Sequence, residues 1–173
     1  SCHEHLTAYP EVLPLCEKIS DYIGCSEEKI LITAGADGGI KNCFELFVQP
    51  GDKIITLEPT FAMVDVYCKL FNAYRIPIEY NSKLKLNVEK LEESIDQSVS
   101  LIIIANPNSP TGNTFPKKSL NRILEKSAEY SVPILIDEAY HGFCQHTLVQ
   151  QIDQCLITQV HRLRLATEHQ TGR

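Results

Sequence analysis

The chain has 173 residues, of which 43% are apolar and 22% charged, and a formal net charge of −6. That size and mix fit one globular domain with a real hydrophobic core and exclude a disordered chain. Acidic and basic residues are interspersed, so no clustered basic face is available to nucleic acid or an anionic membrane. No apolar run reaches the length of a membrane span, and Ser1-Cys-His-Glu-His5 has no signal-peptide pattern, which makes the expectation cytoplasmic, with no membrane or nucleic-acid partner.

Taken in order, residues 12–23 place Val12, Leu15, Cys16, Ile19, Tyr22 and Ile23 on one helical face, with Gly24 as a natural stop. Lys29-Ile-Leu-Ile-Thr33 reads as a short strand leading into Gly35-Ala-Asp-Gly-Gly39. Ile40, Cys43, Phe44, Phe47 and Val48 make a second helical stripe, closed by Pro50-Gly51. A strand over 53–57, a helix over about 61–70 and a strand over 74–78 follow. Next come a polar-faced helix over 88–95 and a strand over 101–105 that is apolar on both faces. A helix near 117–130 and a strand over 133–136 running into Asp137 complete the series. Helices alternating with continuous apolar strands predict an α/β fold, a three-layer, mostly parallel sheet with helices on both faces. From Gln159 to Arg173 polar and basic residues dominate, and no periodicity continues the domain.

The seven cysteines are scattered, odd in number and without a C-x-x-C pair, which predicts reduced, mostly buried thiols. His141, Cys144 and His146 invite a metal reading, but a closed zinc site needs four ligands and no second pair of suitable spacing is near, so no metal is expected.

Three clusters of unusual residues each follow a strand: Gly35–Gly39, Asn106-Pro-Asn-Ser-Pro-Thr-Gly112 and Asp137-Glu-Ala-Tyr140. In a parallel sheet all three converge on the carboxyl edge, where open α/β folds bind ligands. Gly35–Gly39, between a strand and a helix, suits a phosphate dianion through backbone N–H groups and the helix dipole, and equally suits a tight turn with Asp37 as N-cap. The pattern is not G-x-G-x-x-G, which weakens a dinucleotide reading. Asp137, at the end of an apolar strand, suits either a cationic ring nitrogen or a capping or salt-bridging role. Tyr140 suits a hydrogen bond into the same site or core packing, and the proline-fixed 106–112 loop is a ligand loop or a plain connection.

Read together, these residues resemble the fold type I pyridoxal-phosphate (PLP) enzymes, most closely the histidinol-phosphate aminotransferase-like group, in one order from about Leu6 to Thr158. The resemblance implies a homodimer in which Tyr9, before Pro10, reaches the cofactor phosphate of the neighbouring subunit. It implies that Ala36 and Asp37 hold the phosphate and that Phe61, in Glu58-Pro-Thr-Phe61 where tyrosine is usual, stacks on the pyridine. Asp137 then pairs with the pyridine nitrogen, keeping the ring protonated as an electron sink, and Tyr140 hydrogen-bonds the ring oxygen. The implied reaction moves an amino group between an amino acid or amine and a 2-oxo acid.

Three departures stand out. Gly38 replaces a commonly acidic residue, and Ser109 occupies the place where the family usually has an asparagine on the ring oxygen, with Asn108 adjacent. After Cys155-Leu-Ile-Thr158, which resembles the family's next strand, the family carries the lysine that holds the cofactor covalently. This chain continues Gln159-Val-His-Arg-Leu-Arg-Leu-Ala-Thr167 and has no lysine after Lys126. The expected organisation is therefore a partial PLP-binding domain over 1–158 and a divergent tail over 159–173, inactive for want of the lysine. The alternatives are a non-catalytic PLP- or phosphate-binding or dimerisation fragment, a threonine-phosphate decarboxylase-like fragment, and a nucleotide-binding α/β domain, which Asp137 and Tyr140 argue against. If the sheet is incomplete, Leu101–Ala105 and Pro133–Ile136 lack covering partners, which predicts association or poor solubility.

Overall fold

A computed structural model describes residues 11–144, 147–148 and 156–158. Its first helix, α1 (Leu13–Ile23), has a proline in its opening turn, where a missing N–H leaves nothing unpaired. The helix closes at Gly24, which takes φ +71° and returns its N–H to the Ser20 carbonyl at 2.8 Å. The next segment departs from expectation. Residues 27–29 form a 3₁₀ turn, and 30–33 run on without regular structure instead of forming a strand. A strand exists only with a ladder partner, and among the described residues none pairs with this segment, leaving Leu31 73% exposed.

Helix α2 (Gly35–Phe47) begins at once, so Gly35–Gly39 is its first turn and not a free loop. The N-cap is Ala34, which corrects the assignment of Asp37 as cap and puts that residue inside the turn. There follow β1 (Lys53–Glu58), α3 (Ala62–Leu70), β2 (Tyr74–Glu79), α4 (Val88–Glu93), β3 (Val99–Ala105), α5 (Lys117–Glu129), β4 (Ile134–Asp137) and β5 (Leu156–Thr158). The helix expected over 88–95 stops at Glu93; it is opened by Asn87, whose Oδ1 accepts the Lys90 N–H at 2.9 Å.

The strands form one sheet in the order β2-β1-β3-β4-β5, every neighbouring pair parallel. Alternation along the inner strands sorts their side chains into two cores. Ile54, Leu101, Ile103 and Leu135 meet Ile40 and Phe44 of α2 and Val64 and Tyr67 of α3. Ile55, Ile102, Ile104, Ile134 and Ile136 meet Leu91 of α4 and Leu120, Ile123 and Leu124 of α5. Helices thus cover both faces, giving the three layers that the apolar strands predict. Leu101–Ala105 are at most 4% exposed and Ile134–Ile136 at most 1%, so the expectation that these strands lack cover is overturned. Each isoleucine buried there contributes about 1.5–3 kcal/mol. At the rim β2 accommodates Pro77, as only an edge strand or a bulge can. Among the described residues no helix is long and apolar enough to cross a membrane.

From β1 the chain steps outward to β2 and then returns past β1 to β3. The connections from neighbouring β1 and β3 therefore leave in opposite directions, opening a crevice at their carboxyl ends.

Candidate functional site

Two of the three clusters are built onto that crevice by main-chain bonds. The Asn106 N–H donates to the Asp137 carbonyl at 2.9 Å, carrying β3–β4 pairing past the end of β3. Asn106 Oδ1 accepts the Phe115 N–H at 2.9 Å, and the Asn108 N–H reaches the Asn113 carbonyl at 2.8 Å. The 106–112 stretch is thus a braced loop, not a slack connection. The peptide bonds preceding Pro59, Pro107 and Pro110 are cis. Asn108, only 2% exposed, donates through Nδ2 to the Pro59 carbonyl at 3.0 Å and to Thr111 Oγ1 at 2.9 Å. Its Oδ1 is buried without a hydrogen-bond partner. Through Pro59 the loop is joined to the turn that carries Phe61, which caps α3 and packs half-buried on the α2–α3 core.

Asp137 ends β4 at 8% exposure, and its Oδ1 accepts the Ala139 N–H at 3.0 Å. Tyr140 is 50% exposed, its ring 6.4 Å from that of Phe143. Asn108, Ser109, Tyr140 and Phe143 are among the walls of one cleft of about 360 Å³, large enough for a small ligand. The structure thus brings Asn108, Ser109 and Tyr140 together and fastens Asp137 and the Phe61 turn to the same loop.

Ala36 and Asp37 sit in the first turn of α2, whose N–H groups have no acceptor within the helix. Asp37 is tied to α3 and is not a wall of the cleft: its Oδ2 accepts from Tyr67 Oη at 3.1 Å, and its Oδ1 is buried without a partner. Burial, and then the neighbouring Asp37, push the Tyr67 hydroxyl above its ordinary pKa and keep it a donor. At Gly38 a Cβ would stand 3.3 Å from the Thr33 Cβ, so a larger residue there must displace Thr33. Tyr9 lies outside the described residues, as does the tail.

Two residues escaped the sequence reading. Glu138 is fully buried, its Oε1 accepting the Leu148 N–H at 2.7 Å and its Oε2 the Thr147 hydroxyl at 2.5 Å. Arg75 reaches from β2 onto the end of β1. An ionisable residue inside or directly after an apolar strand is the only signal either gives in the sequence.

The five cysteines described are free thiols; Cys16 and Cys68 are buried, and Cys25, Cys43 and Cys144 are half-buried. Burial pushes the Cys43 and Cys68 thiols up to about 11, so neither is a nucleophile at neutral pH. Among the described residues no three His, Cys, Asp or Glu side chains are grouped to hold a metal ion, and His146 lies outside them.

Known proteins match this arrangement. The family described as "Aminotransferase class I and II" matches residues 5–169, past Thr158 and into the segment read as divergent. A histidinol-phosphate aminotransferase of Dehalococcoides mccartyi is 33% identical over 136 residues, which cover 79% of this chain and 37% of that protein. The chain thus spans well under half the length of such curated relatives. An aminotransferase from Mycobacterium tuberculosis superposes with a TM-score of 0.78 at 20% identity, covering 91% of this chain and 46% of the other. Cystalysin from Treponema denticola, whose structure contains a pyridoxal 5'-phosphate cofactor, gives 0.74 at 20% identity, covering 85% and 41%. The two structures share the fold, and the family match runs nearly end to end: the chain belongs to the class I and II aminotransferase family.

Proposed function

We propose that this chain forms the cofactor-binding part of a PLP-dependent aminotransferase of the histidinol-phosphate type, and that it holds PLP without a covalent anchor. The amino group would pass between an amino acid or amine and a 2-oxo acid. The observation that carries the reading is Asp137, a carboxylate 8% exposed at the end of an inner strand, whose main-chain carbonyl holds the N–H of Asn106 at the start of the loop that walls the cleft. Burial of Asp137 favours pairing with a ring N–H⁺ over pairing with water.

The residues fit the cofactor. Ser109 and Tyr140 bring hydroxyl donors for a ring oxygen, and Asn108 braces the loop beneath them. The first-turn N–H groups at Ala36 and Asp37 suit the phosphate, Phe61 the ring face, and Tyr9 the phosphate of a partner subunit in a homodimer. Bound PLP acts as an electron sink at the amino-bearing carbon. What this chain does is orient that ring and keep its nitrogen protonated. Residues 127–173 contain no lysine, so they offer no covalent anchor of their own, which favours a division into a cofactor-binding part over 1–158 and a distinct segment over 159–173.

Titration with PLP tests this. A saturable change in cofactor absorbance is expected, reversed by dialysis and not fixed to protein by borohydride. Asp137→Asn should weaken it about tenfold or more, the effect of losing a charge-assisted hydrogen bond. No saturable change in a chain folded by circular dichroism overturns the reading. A borohydride-stable adduct on one lysine overturns its non-covalent part.

A further inference from the structure

Arg75 lies on edge strand β2, yet its side chain is only 21% exposed. Its guanidinium reaches across β1. Nε donates to Thr56 Oγ1 at 2.7 Å, and Nη2 donates to the Leu57 carbonyl at 3.0 Å and to Glu58 Oε2. Nη1 stands 3.5 Å from Asp65 Oδ1. Thr56, Leu57 and Glu58 are the last residues of β1, and Asp65 lies in the first turn of α3. One rigid fork thus grips both ends of the turn formed by Pro59, Thr60 and Phe61. Thr56 is fully buried, so its hydroxyl oxygen gains from Arg75 a donor that water cannot provide. The Pro59 carbonyl in that turn accepts from Asn108 Nδ2 at 3.0 Å. A continuous line of bonds therefore runs from the sheet edge to a wall of the cleft.

We infer that Arg75 is a positioning residue, holding the Pro59–Phe61 turn so that Phe61 and Asn108 keep their places without itself meeting a ligand. Charge alone does not do this. A lysine ammonium is a point donor on a flexible stem and cannot reach Thr56, Leu57, Glu58 and Asp65 from one plane. Only the ligand arm of the test rests on the PLP reading.

The chain contains no tryptophan, so Phe61→Trp installs a single fluorescent reporter in the turn itself. Adding Arg75→Ala or Arg75→Lys should lower the reporter's anisotropy without ligand, and in the chain with Phe61 intact the same substitutions should weaken PLP binding, read by cofactor absorbance, about tenfold, with cooperative unfolding retained. Failure of lysine to rescue separates the fork from the charge. Asp65→Asn removes only the α3 end of the grip and should move both readings the same way by less; it carries the test if Arg75→Ala does not fold. A folded Arg75→Lys chain with the reporter's anisotropy and the PLP affinity unchanged overturns the inference. Absence of any saturable cofactor absorbance change in the chain with Phe61 intact, with anisotropy still falling in Arg75→Lys, sinks the PLP reading and leaves the role of Arg75 standing.

Discussion

Glu138 sits beside Asp137 but does different work. Its carboxylate, fully buried, gathers the Thr147 hydroxyl and the Leu148 N–H, and its carbonyl takes the His141 N–H at 2.9 Å. One side chain therefore draws the stretch after Tyr140 back toward the core on the α4–α5 face, where Leu148 packs. Glu138→Ala strands the buried Leu148 N–H, while the exposed Thr147 can turn its hydroxyl to water, and should cost about 2–3 kcal/mol. Glu138→Gln keeps an acceptor for Leu148 and should cost about 1 kcal/mol. Urea unfolding followed by circular dichroism checks both, and equal losses in the two variants would refute this account. The role was illegible beforehand because the partners lie nine and ten positions along the chain, a separation set by the path of the loop and by no periodicity. Arg75 was hidden for the same reason, its partners on β1 being 17 to 19 positions away. The place of Asp137 and Asn108 at the carboxyl edge of the sheet was legible because the end of an apolar strand announces itself in the sequence.

Among the elements, the amphipathic helices were the easiest to read, since a stripe such as Ile40, Cys43, Phe44 and Phe47 needs only the 3.6-residue period. Their starts were harder. Asp37 has the right chemistry for an N-cap, but Gly35 takes φ +73° and turns the chain into α2 before Asp37 is reached. Lys29–Thr33 failed as a strand because composition reports a preference for strand while a ladder needs a neighbour. At the other end of α1, Gly24→Ala isolates backbone conformation from packing: φ is +71° and a Cβ there would touch nothing within 4 Å. The expected loss is about 1 kcal/mol, read as a lower urea midpoint at an unchanged slope. No loss at all would contradict the left-handed cap.

On the scale of the whole molecule, continuous apolar strands made the buried parallel sheet legible, whereas the order β2-β1-β3-β4-β5 was not, because the hydrophobic pattern does not name a strand's neighbours. The structure also moves the expected source of association. β3 and β4 are covered, while Leu13, Tyr22, Leu31 and Leu46 are each more than 70% exposed. Association at high concentration, measured by light scattering, should therefore fall in a Leu13→Ser, Leu31→Ser chain. An unchanged mass distribution in that double variant would remove these residues as the cause.

The position of Asp137 has a thermodynamic consequence. It is carried by β4, hydrogen-bonded to β3 on one side and β5 on the other. Strands so placed exchange their amide hydrogens only when the domain opens as a unit, whereas a ligand gripped by loops alone can leave through local opening. Whatever engages Asp137 is therefore linked to global unfolding, and at one hundred times its dissociation constant it would add about 2.7 kcal/mol to the stability of the whole sheet. Occupancy at one carboxylate would then be written into the slowest-exchanging amides of the protein.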